Sequence, residues 1–184
     1  MNRVFTCQLL AVLAASALNA QVAVKLSFSG NGGPSPINLM QPNTVTTEED
    51  VAGSGSLGLF TYRNITAQTT APQPSSTCSG PNMFYLARVA GAGIFRFQDG
   101  SLLTVSLVQG GDCIDLAAQQ AHCNLTLQIT GGTGRFQNAS GSLTYTEIGA
   151  PVLADTSGNV VFATETGQIT GNISRAGTTE DAPQ

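Results

Sequence analysis

Charge is scarce in this chain: only 10% of its 184 residues are charged. Lys25 is the one lysine, and the formal net charge is −4. A chain with so few cations cannot neutralise a row of phosphates, which argues against nucleic acid as a partner. The same shortage argues against electrostatic attachment to anionic lipid. Histidine is scarcer still. His122 stands alone, so a Ser-His-Asp arrangement would have to use it, and no Gly-x-Ser-x-Gly elbow accompanies it. After residue 20 no apolar run reaches the roughly 20 residues that a spanning helix needs, so no membrane insertion is expected. No helical periodicity lies between the candidate strands, which excludes parallel crossover units.

What is present is uncharged polarity, supplied by Ser, Thr, Gly, Asn and Gln. Apolar residues reach 41% and fall in strand-like alternation, so the chain is folded rather than disordered. The beginning reads as a secretory signal: Met1-Asn2-Arg3, then an apolar run from Leu9 to Leu18, then small residues, with cleavage expected after Ala20. The expected organisation is a leader over 1–20, one domain over 21–174 and a frayed polar tail over 175–184. The expected location is secreted or periplasmic. Such a compartment favours disulfides. Cys113 and Cys123 flank Ile114–His122, and short-range closure favours a bridge between them, of about 3 kcal/mol. Cys78, in the Ser- and Pro-rich stretch Thr70–Pro81, is left free or competes for one of the two.

A short unit recurs. Arg96-Phe97-Gln98-Asp99-Gly100-Ser101-Leu102 returns as Arg135-Phe136-Gln137-Asn138-Ala139-Ser140-Gly141-Ser142-Leu143, and Gln-Ile-Thr-Gly occupies both 128–131 and 168–171. Each copy reads as a strand end, a turn and the next strand, so the chain is a succession of hairpins. Strands are expected at Val22–Phe28, in Gly55–Ala67, and then in short steps from Met83 to Ser174. Turns are expected at Gly91–Gly93, Asp99-Gly100, Gly110-Gly111, Gly131–Gly134 and Asp155–Gly158. Ser29–Gly53 reads as irregular, and its run Glu48-Glu49-Asp50 as a solvated loop rather than a calcium site. The fold class expected is all-β, a single closed antiparallel barrel of about eight strands, calycin-like; closure removes the strand edges that invite aggregation.

The segment Ile129-Thr130-Gly131-Gly132-Thr133-Gly134-Arg135-Phe136, followed by Ala139-Ser140-Gly141-Ser142-Leu143, resembles the Gly-Gly-Thr-Gly-[Arg/Lys]-Phe…Ala-x-Gly signature of allene oxide cyclase and dirigent-like barrels. The resemblance covers Leu127 to Gly171 and implies an eight-stranded antiparallel barrel with a partly apolar interior. It carries a fold motif, Gly131, Gly132, Gly134, Phe136 and Gly141, and no catalytic residue maps across. The motif has its own logic: the glycines let the chain turn sharply, and Phe136 folds back to plug the barrel end.

Chemistry-bearing clusters are few. Gly131–Gly134 lacks the Lys-Ser/Thr of a phosphate loop. Cys113, His122 and Cys123 form a poor zinc set, because neighbours on a strand point to opposite faces. No metal and no cofactor is expected. Alternation places Phe84, Leu86 and Arg88 on one face, and Leu143, Tyr145 and Glu147 on another. If both rows face inward, Arg88 and Glu147 meet near one mouth, with Tyr145 and Phe84 beside them as ligand-binding residues. The alternative is that each charge lies where its strand emerges into water. Three roles remain open: a non-catalytic binding or structural module holding a small apolar ligand, a cyclase- or dirigent-type enzyme that works by confinement, and a surface or matrix protein with a filled barrel.

Overall fold

Side-chain alternation sets the architecture, and the last strand shows how. Positions 165, 167, 169, 171 and 173 are Glu, Gly, Ile, Gly and Ile and face inward, while the intervening Thr, Gln and Asn side chains are exposed. The computed structural model describes residues 21–78 and 80–174; the expected leader and tail lie outside them. The strands are β1 (Gln21–Pro34), β2 (Thr44–Gly55), β3 (Phe60–Thr69), β4 (Met83–Phe97), β5 (Leu102–Asp115), β6 (Gln120–Gly132), β7 (Ser140–Ala154) and β8 (Val160–Ser174). Each pairs antiparallel with the next, and β8 pairs back onto β1 from Gln21↔Ser174 to Gly32↔Ala163. The result is a closed eight-stranded barrel.

The strands are longer than the sequence suggests. Gly91-Ala92-Gly93 and Gly110-Gly111 are strand interior, not turns. These glycines sit where neighbouring chains come close; the last pair adjoins a bulge between Leu107 and Gln109. The acidic run is likewise corrected. Glu48, Glu49 and Asp50 belong to β2, and Glu49 is buried. Asp99-Gly100 does form the β4–β5 turn, with Gly100 at φ 83°.

One end of the barrel is plugged as the glycine-rich motif implied. Gly131 and Gly134 take φ values of 149° and 58°, and Gly134–Phe136 forms a single 3-10 turn. Phe136 is fully buried, its ring 4.6 Å from that of Phe97. The two phenylalanines of the repeated unit therefore meet. Arg135 lies over both rings and pairs with Asp99 at 3.2 Å, closing this end. Above the plug, Leu26, Phe60, Tyr62, Phe95, Leu125 and Ile169, among others, fill the interior.

The disulfide differs from the expectation. Cys78 is bonded to Cys113, and Cys123 is a free, buried thiol. The reason is parity. Cys113 pairs across the ladder with His122, so Cys123 stands opposite Asp112 and points inward while Cys113 points outward. Two cysteines on opposite faces of one sheet cannot bond. The bridge instead pins the 70–82 connection onto the outer wall, where Gln73 also pairs with Tyr85.

Candidate functional site

Two places in the barrel concentrate polar groups. The first is an internal layer at the end opposite the plug. Arg88 is its centre, buried on β4. Its Nε and Nη2 donate to the two oxygens of Asp112, at 2.9 and 3.1 Å, in a bidentate pair. Its Nη1 donates to Thr66 Oγ1 at 3.2 Å and to Glu49 Oε1. Burial opposes the Arg88 charge, but Asp112 and Glu49 outweigh it and hold the guanidinium above its ordinary pKa. Glu49 Oε2 accepts from Asn64 Nδ2 at 2.6 Å and from the Tyr145 hydroxyl at 3.0 Å. Gln68 completes the shell of Asp112.

The Tyr145 hydroxyl also touches Glu147 Oε2. A phenol carries one proton, so it can donate to only one of its two carboxyl neighbours; the other contact takes its proton from the carboxyl group. Glu147 supplies that proton. Burial, and then the charge of Glu49, pushes its pKa up to about 8. Glu165 is pushed up to about 9 by the same two causes in the same order. Its carboxyl lies over Gly32, where a Cβ would fall 2.0 Å from Oε1, so a larger residue at 32 would push the carboxyl from this position. Glu165 Oε2 has no hydrogen-bond partner among the described residues. Glu49, Glu147 and Glu165 each bring an oxygen within 4.8 Å of the others. Both oxygens of Glu49 are already engaged, so the set works as a proton-sharing cluster rather than an open ligand cage.

Arg88, Tyr145 and Glu147 thus come together as the alternation implied, and inside the barrel rather than at an edge in water. Arg88 and Glu147 are linked through Glu49 and Tyr145. Phe84 is not among the hydrogen-bonded groups; it is half-buried and pairs with Ile114, nearer the mouth. Sequence reasoning missed Glu49, Asp112, Asn64 and Glu165. The signal for Glu165 was parity with Ile169 and Ile173. That for Glu49 was parity with Val51. Asp112 was hidden by the β5 bulge, which reverses parity. Asn64 heads one of four Asn-x-Ser/Thr sequons, and its burial removes it from modification in the folded chain.

The second place is outside. A groove of about 1040 Å³ runs over the outer faces of β5, β6, β7, β8 and β1. Its walls carry Gln109, His122, Asn124, Thr146, Ile148 and Gln168, and Tyr85 and Thr77 stand at the edge fixed by the disulfide. At this size it lies at the upper end of ordinary ligand sites, about 300–1,000 Å³.

No protein-family model matches the sequence. No curated protein matches it. Among solved structures, the pterocarpan synthase dirigent protein is similar at 13% identity and a TM-score of 0.36, over 91% of this chain and 97% of that chain. A likeness of that size transfers no residue and no activity. The closed barrel stands on its own strand pairing.

Proposed function

We propose that this protein is an exported, non-catalytic binding module that takes its ligand on the outer wall of the barrel. The observation that carries the reading is the contrast between the two faces. The interior is occupied from the Phe136 plug to the Arg88 layer, first by aromatic and aliphatic side chains and then by an interlocked ionic network. The large concavity lies outside. In this reading Arg88, Tyr145 and Glu147 tie the strands together from within. A disulfide agrees with an oxidising compartment. Native mass spectrometry of protein from its own host tests the proposal. A retained small molecule is expected, lost in Thr146→Arg, which fills the groove, and kept in Glu147→Gln. Retention that survives Thr146→Arg, or no retained molecule at all, overturns it.

A second reading has one observation in its favour. Glu147, held as an acid beside the Tyr145 hydroxyl and below half-buried Phe84 and Ile114, could protonate an intermediate that enters the mouth. It requires the ionic layer to open to substrate. Turnover abolished in Glu147→Gln and untouched in Thr146→Arg would support this reading over the first.

A further inference from the structure

Cross-strand register lines up one row of side chains across the groove. Asn124 stands opposite Thr146, Thr146 opposite Gln168, and Gln168 opposite Ser27. All four are exposed on the outer face. Neighbouring strands lie about 4.8 Å apart, so the row presents an amide or hydroxyl at intervals close to one hexose along an extended glycan. Each of these groups both donates and accepts. Among the described residues no side-chain hydrogen bond engages Ser27, Asn124 or Gln168, and Thr146 makes one only to a backbone carbonyl, at 3.3 Å.

The row ends on an aromatic platform. Asn124 pairs on its other side with Gly111. A Cβ at Gly111 would fall 2.8 Å from Cζ and Oη of Tyr85, so the ring lies across this bare stretch of strand. Of the three tyrosines, Tyr62 and Tyr145 are in the core; Tyr85 is only half-buried, on the outside. The Cys78–Cys113 bond and the Gln73–Tyr85 bridge hold the wall around it. Among the described residues the groove is lined by no lysine or arginine, His122 is its one basic group, and the one acid bordering it, Glu147, turns inward to Tyr145.

We infer that the groove binds a neutral oligosaccharide, one sugar ring stacked on Tyr85 and its neighbours hydrogen-bonded along Asn124, Thr146 and Gln168. A sugar ring presents a face of C–H groups that packs on the negative face of an aromatic ring. Hydroxyls that accept and donate match the row. Walls without a lysine, an arginine or an outward carboxylate select against uronic-acid and amino-sugar chains, whose charges would lose solvation without gaining a matching ion pair. This inference rests on the outer-wall reading above and gives it a ligand class.

The test uses residues 21–184 made in a host that does not glycosylate, because Asn124 heads a sequon. Cellohexaose, xylohexaose and laminarihexaose are titrated calorimetrically beside hexagalacturonate and a chitosan hexamer. At least one neutral hexasaccharide is expected to bind and the two charged ones not. Tyr85→Ala should weaken binding at least tenfold, Tyr85→Phe should hold within threefold, and Asn124→Ala should weaken it several-fold. Thermal unfolding and circular dichroism of each variant separate lost binding from lost fold. Absence of binding by every neutral chain, equal binding of charged chains, or an unmoved affinity in well-folded Tyr85→Ala overturns the inference. A host-derived molecule that is not a sugar, yet is lost in Thr146→Arg, overturns the glycan assignment and leaves the outer-wall reading standing.

Discussion

Arg88 shows what one buried charge does to its surroundings. Three strands supply its partners, Thr66 from β3, Glu49 from β2 and Asp112 from β5, so a single side chain ties four strands together. Removing it strands two carboxylates inside the barrel. Arg88→Met should destabilise the fold by about 3–5 kcal/mol, read as a lower urea midpoint at an unchanged slope. Glu49→Gln in the same background should recover part of the loss, since it removes one of the stranded charges. A midpoint unmoved by Arg88→Met would mean that the pairing does not hold the layer together. Half of this was legible. Arg88, Tyr145 and Glu147 sit on clean alternating rows, and the rows turned out to face each other. Glu49 was hidden inside an acidic run that looks like solvent-exposed loop, because local charge density outweighs parity when the eye has no partner strand to check against.

At the level of elements the long β3–β4 connection depends on its bond. The Cys78–Cys113 link closes a separation of 35 residues, which the chain-entropy relation values at about 4 kcal/mol. In residues 21–184, thiol titration without reductant should find no reactive thiol in the native protein and one after unfolding, that of Cys123. Cys78→Ser should lower thermal stability and expose Tyr85 to solvent quenching, whereas Cys123→Ser should leave the bond intact. Three reactive thiols after unfolding, or a single one at Cys78 or Cys113, would refute the assignment. The sequence suggested the wrong pair because loop length is visible in a sequence and side-chain parity across a bulged ladder is not. The same limit explains the turns expected inside β4 and β5: glycines that permit close strand approach carry the same letters as glycines that turn. By contrast Asp99-Gly100 and the Gly131–Phe136 turn were readable, since their conformations are demanded locally.

The whole barrel carries the cost of its excess internal acids. Among the described residues four carboxyl groups, Glu49, Asp112, Glu147 and Glu165, share the buried layer with one guanidinium. Two of them stay protonated: Glu147 rises from an ordinary 4.5 to about 8, and Glu165 from 4.5 to about 9. Both groups therefore bind protons more tightly in the folded than in the unfolded chain. Between the ordinary value and the raised one, the native state holds more protons, so stability falls as pH rises. The contribution is whole below about 4.5 and is lost as pH climbs through about 8 and about 9, with a limiting slope near 1.4 kcal/mol per pH unit for each acid. The melting temperature should accordingly decline from pH of about 5 to about 9. Glu147→Gln and Glu165→Gln put a neutral group where the fold already keeps one, so each should flatten the decline, and the pair should remove most of it. A wild-type melting temperature that rises over the alkaline window, or a double variant that melts along the same curve as the wild type, would show that the acids are ionised within the barrel. The layer would then need a counter-charge beyond Arg88.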